Sequence, residues 1–130
     1  MEVRSLLPEE GPIALIDTAT EERFADIPVV ATQDHGLIRQ WATRRHAEPA
    51  TGEATESGPS TVTVNDDGTG IRFNFPGIGR FRPIEWDEWF RHFDAYSLVF
   101  IYERDVRKRS LSSRYRMVPF ETLKRVADLR

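Results

Sequence analysis

Apolar positions recur along this chain at two spacings, and the switch between them marks out the elements. Leu37, Ile38, Trp41 and Ala42 fall on one helical stripe, with Arg39, Gln40, Thr43 and Arg44 on the other side. This predicts a helix that starts after Thr32 as N-cap, has Asp34 in its first turn, and closes on Arg44, Arg45 and His46. Trp86, Trp89, Phe90 and Phe93 repeat at i, i+3, i+4 and i+7 and predict a second, aromatic helix with Asp87 and Glu88 at its start. Ile71, Phe73 and Phe75 alternate with Arg72 and Asn74, the period of a half-buried strand, and Val62 and Val64 alternate with Thr61 and Thr63. The turn-forming run Asn65-Asp66-Asp67-Gly68-Thr69-Gly70 between them predicts a hairpin.

Leu98-Val99-Phe100-Ile101-Tyr102 is apolar at both parities, which predicts an interior strand covered on both faces. Tyr115, Met117 and Val118 predict a partner strand stopped by Pro119, and Phe120, Leu123, Val126 and Ala127 a terminal helix. The start of the chain is less regular. Ile13-Ala14-Leu15-Ile16 is too short to assign by period. Asp17 or Thr18 can cap a short helix reaching Phe24, and Pro28 biases Ile27 towards extended backbone. Residues 47–60 hold no large apolar side chain and are expected to form a flexible loop. The fold class expected is α+β: one small domain with a mostly antiparallel sheet of four or five strands and two or three helices packed on one face. Residues 32–130 form that domain, and residues 1–31 are an N-terminal extension whose order the pattern leaves open.

Composition narrows the chemistry. The 130 residues contain no cysteine, which removes disulfides, thiol nucleophiles and thiolate metal sites. Mean hydropathy is -0.49, and no apolar run approaches the roughly 20 residues needed to span a bilayer. Met1-Glu2-Val3-Arg4 does not open a secretory signal, so a cytoplasmic protein is expected. Charge is uneven. Residues 1–79 carry 6 basic and 13 acidic side chains, a net of -7, while residues 80–130 carry 12 and 8, a net of +4. Such asymmetry marks a surface for an acidic partner, or halves that attract each other.

An ordered set of residues within 32–118 resembles a family of small bacterial proteins with no established function. The resemblance rests on Asp34-His35, Ile38-Arg39-Gln40-Trp41-Ala42 and Pro49, then Gly70-Ile71-Arg72-Phe73-Asn74-Phe75-Pro76-Gly77. It continues through Ile84-Glu85-Trp86-Asp87-Glu88-Trp89-Phe90, Phe93-Asp94 and Leu98-Val99-Phe100-Ile101-Tyr102. Two departures stand out. His46-Ala47 occupy the place of two glycines, and the turn after the apolar strand is longer and basic through Arg107-Lys108-Arg109. The resemblance supports the α+β fold and implies no reaction.

Catalytic and metal-binding patterns are weak. His35 and His46 lie eleven residues apart, about 16 Å along one helix, and cannot share an ion. Glu85, Glu88 and His92 fall roughly on one helix face, where a divalent cation could be held, but a solvated face opposite the aromatic stripe is the favoured explanation. Asp66 and Asp67 are turn residues, and neither Gly-x-Ser-x-Gly nor His-Glu-x-x-His occurs. No catalytic set, cofactor or metal is expected. Basic side chains offer the clearest functional signal: Arg107, Lys108, Arg109, Arg114 and Arg116, with Arg80 and Arg82 beside the glycines of Gly77-Ile78-Gly79. The function expected is a non-catalytic protein-protein interaction or regulatory accessory module whose basic segment meets an acidic protein surface. The alternative is a nucleic-acid-associated accessory protein, in which the same cations neutralise phosphates while Tyr102 and Tyr115 stack on bases.

Overall fold

The computed structural model describes residues 12–52, 70–77, 81–104 and 112–130. Five strands form a mixed sheet: β1 Pro12–Leu15, β2 Val29–Thr32, β6 Leu98–Glu103, β7 Tyr115–Pro119 and β8 Asp128–Leu129. Their order is β7-β6-β2-β1-β8. β6 runs antiparallel to both neighbours, with Phe100 opposite Met117 and Thr32, whereas β1 is parallel to β2 and β8. A smaller antiparallel sheet has the order β4-β3-β5, from β3 Glu48–Thr51, β4 Ile71–Asn74 and β5 Arg82–Pro83. The helices are α1 His35–Arg44, α2 Trp86–Ala95 and α3 Phe120–Val126. The chain is thus a small single α+β domain. Among the described residues no helix is long and apolar enough to cross a membrane.

Alternation along the strands divides the core. Ala14, Val30, Leu98, Phe100, Tyr102, Tyr115 and Met117 face one way, towards Leu37, Ile38 and Trp41 of α1, Trp89, Phe90 and Phe93 of α2, and Ile71 and Phe73 of β4. Ile13, Ala31, Val99, Ile101 and Val118 face the other way and are covered by Leu123 and Phe120 of α3. This is why Leu98-Val99-Phe100-Ile101-Tyr102 is apolar at both parities: helices lie on both sides of β6. Two helices, α1 and α2, share one face. Trp89 anchors α2 further, because its indole N–H donates to the Arg72 carbonyl at 3.0 Å.

The structure departs from the sequence pattern in instructive places. The N-cap of α1 is Asp34, not Thr32. The Asp34 carboxylate accepts the Gly36 and Leu37 amides, while Thr32 ends β2 and its hydroxyl accepts the Asp34 amide. Residues 48–51, within the stretch expected as a loop, form β3. Pro49, Ala50 and Thr51 are buried between β4 and β5 with α2 packed against them, and small side chains permit that close approach. The partner found for β4 is β3, with Phe73 opposite Pro49. The hairpin strand expected at 61–64, residues 65–69 of the turn after it and residues 53–60 lie outside the described residues. β1 and β2, from residues 12–32, are integral to the main sheet, and Asp17 caps a short 3-10 turn at Thr18–Thr20. The terminal strand β8 carried no signal, being two residues long.

Candidate functional site

The basic residues occupy two sheets. Arg114 immediately precedes β7, at an edge of the five-stranded sheet, and its guanidinium lies 3.5 Å from the Glu103 carboxylate with the side chain 45% exposed. Arg116 follows on β7 opposite Ile101 and is half-buried, with an interaction of its own. Arg82 is exposed on β5 in the smaller sheet, opposite Thr51. The fold therefore places Arg114 just before β7 and Arg116 on it, and holds Arg82 on another sheet. Arg80, Arg107, Lys108 and Arg109 lie outside the described residues.

The acid-base candidates separate. Glu85 is the N-cap residue of α2, and Glu88 and His92 pair at 3.8 Å on the partly exposed helix face. Among the described residues no cluster of three metal-binding side chains occurs. A contact that spacing alone did not suggest joins the two long helices. His35 Nε2 lies 3.0 Å from Asp94 Oδ1, and its ring stacks on Phe90 at 3.9 Å. Trp86 stacks on the other side of this ladder, 5.1 Å from Phe90, and the Arg39 guanidinium lies 5.5 Å from Trp86. The His35–Asp94 pair ties the start of α1 to the end of α2.

Burial and hydrogen bonding set the charge states nearby. The Thr18 hydroxyl, with backbone amides, holds the Asp34 carboxyl below its ordinary range against the opposing effect of burial. Burial pushes the Tyr115 phenol up to about 12, and burial lowers the Arg72 guanidinium. Tyr115 is therefore neutral at physiological pH and packs as a core aromatic, 5.4 Å from both Trp41 and Phe73. That arrangement removes it from the base-stacking role considered for it.

A cavity of ≈ 450 Å³ lies between α1, the end of β6 and residues 21–25. Its apolar floor includes Ile16, Leu37, Trp41 and Tyr102, and its charged side chains are Glu21, Glu22, Arg44 and Arg104. Arg104 builds one wall. Its Nε donates to the Ile27 carbonyl at 2.8 Å, and its terminal nitrogens donate to the carbonyls of Glu21, Arg23 and Phe24 at 2.9, 2.8 and 3.0 Å. A planar fork of donors suits such a cluster of carbonyls. Nothing in the spacing of residues 21 and 104 announces this contact, since it depends on β2 and β6 lying side by side.

Comparison with known proteins leaves the fold and these sites as the basis for a functional reading: the chain matches no protein-family model, no curated protein and no solved structure.

Proposed function

We propose that this chain is a non-catalytic protein-protein interaction or regulatory accessory module, whose basic C-terminal half docks on an acidic surface of a cytoplasmic partner. The observation that carries this reading is the place of Arg116 on β7 and of Arg114 immediately before it, at the strand that ends the five-stranded sheet. Edge strands are common docking elements, and cations beside an edge select acidic partners. Arg107, Lys108 and Arg109 precede this strand in the sequence and add charge of the same sign.

Fluorescence anisotropy tests the reading with three labelled probes: an alternating Glu/Asp peptide, duplex DNA and single-stranded RNA, each at low and high salt. Binding of the acidic peptide that weakens with salt, and is lost on R107E/K108E/R109E with R114E, supports protein docking. Tighter binding of either nucleic acid, with a steep salt dependence, overturns it in favour of the nucleic-acid reading. Failure of all three probes to bind at low salt counts against both.

A further inference from the structure

The five-stranded sheet has a second edge, opposite β7, formed by β8. Pairing with β1 fixes which backbone groups of β8 are left over. The Arg130 amide donates to the Ile13 carbonyl at 2.9 Å, and the Arg130 carbonyl accepts the Leu15 amide at 3.3 Å. Both polar groups of Arg130 therefore point towards β1. Backbone direction alternates along a strand, so the N–H and C=O of Leu129 point the other way, off the edge of the sheet. Among the described residues they have no hydrogen-bond partner. Side chains alternate as well. Leu129 packs on the α3 side with Ile13, while Asp128 and Arg130 share the opposite face, 2.8 Å apart and each half-exposed. Charges of one sign at such an edge would repel a second copy. Opposite signs on either side of one residue do the reverse. In an antiparallel pairing of two β8 strands centred on Leu129, each Asp128 lies across from the Arg130 of the other copy. The same register sets the two Leu129 residues opposite each other, where each N–H meets the other's C=O. A shift of one residue, or a parallel pairing, loses both matches.

We propose that this edge joins a second copy of the chain: β8 pairs antiparallel with β8 about a two-fold axis at Leu129, and the two five-stranded sheets become continuous. Backbone hydrogen bonds at Leu129 make the contact, and Asp128 and Arg130 set its register. The paired strands are short, so the dimer is weak, as expected of interfaces that bury less than about 1,200 Å². The pairing leaves β7 untouched at the far side of the sheet, and the proposal therefore stands independently of the docking reading.

Sedimentation equilibrium of the full chain, from micromolar to millimolar concentration, tests it. A monomer–dimer equilibrium that weakens with salt is expected. R130E sets acidic side chains against acidic side chains across the axis and is expected to raise the dimer dissociation constant about tenfold. The exchange D128R/R130D restores opposite charges across the axis and is expected to return the constant to within about threefold of the original. Hydrogen exchange followed by NMR supplies a second readout at the backbone. The Leu129 amide is expected to exchange fast in dilute protein and slowly in concentrated protein, whereas the Arg130 amide, bonded to Ile13, stays protected in both. A chain that remains monomeric at millimolar concentration, oligomers larger than a dimer, an association that R130E leaves unchanged or that D128R/R130D fails to restore, or a Leu129 amide equally protected at every concentration would each overturn the proposal.

Discussion

The hydroxyl of Thr18 donates to Oδ2 of Asp34 at 2.7 Å, while Oδ1 of the same carboxylate accepts the first amides of α1. One side chain thus ties the connection between β1 and β2 to the start of the helix that carries Trp41. Removing that carboxylate in D34A should cost about 1 kcal/mol, the usual worth of an N-cap. The pH dependence follows from the direction of the shift. The folded-state pKa lies below the ordinary value of 3.8, so the ionised group contributes stability that is present above 3.8 and lost as pH falls through the folded value. The stability gap between the protein and D34N should therefore be constant at neutral pH and shrink in acid, as urea melts at several pH values will show. Carbon-13 titration of Asp34 in T18V should move its pKa upward, because the hydroxyl is the largest cause of the depression.

Arg104 closes the turn that forms one side of the cavity. R104A should destabilise the protein by about 2–3 kcal/mol, since charged hydrogen bonds are among the stronger ones and here they satisfy several carbonyls at once. R104K should recover less than half of the loss, because one ammonium group cannot span the four carbonyls. A lowered urea midpoint with an unchanged m-value, and faster exchange of the Ile27 amide that bonds to Phe24, will report the effect.

His46 follows α1 with φ of 56°, in the left-handed region that favours glycine. Its amide still bonds to the Thr43 carbonyl at 3.1 Å, so the turn is kept despite the residue type. H46G should stabilise the protein by about 0.5–1 kcal/mol, the relief of strain outweighing the entropy that glycine adds to the unfolded chain. A rise in melting temperature is the expected result, and a fall would show that the imidazole contributes more than its backbone costs.

Gly52 makes the opposite case. A Cβ there would lie 3.1 Å from Nε of Arg72, which is only 4% exposed and has little room to move. G52A should cost about 1–2 kcal/mol from overpacking, larger than the gain expected from a stiffer unfolded chain. The penalty should fall when Arg72 is first shortened in R72A, and a double-mutant cycle measures that coupling directly.

Periodicity alone determined much of this architecture. The aromatic repeat from Trp86 to Phe93 became α2, the doubly apolar run from Leu98 became β6, and the alternation at Tyr115 and Met117 became its partner β7, because each pattern reports how many faces of an element meet the core. The apolar stripe of α1 was equally plain, although its cap was misplaced by two residues between two good capping side chains, Thr32 and Asp34. Only the tertiary structure decided the rest. Pro49, Ala50 and Thr51 have no apolar bulk to betray a strand, and their pairing comes from β4 and β5 on either side. The His35–Asp94 tie, the four carbonyls on Arg104 and the cavity beside Trp41 each join residues far apart in the chain. Local preferences carry no information on such contacts, which exist because strand order and helix packing bring distant side chains within reach of one another.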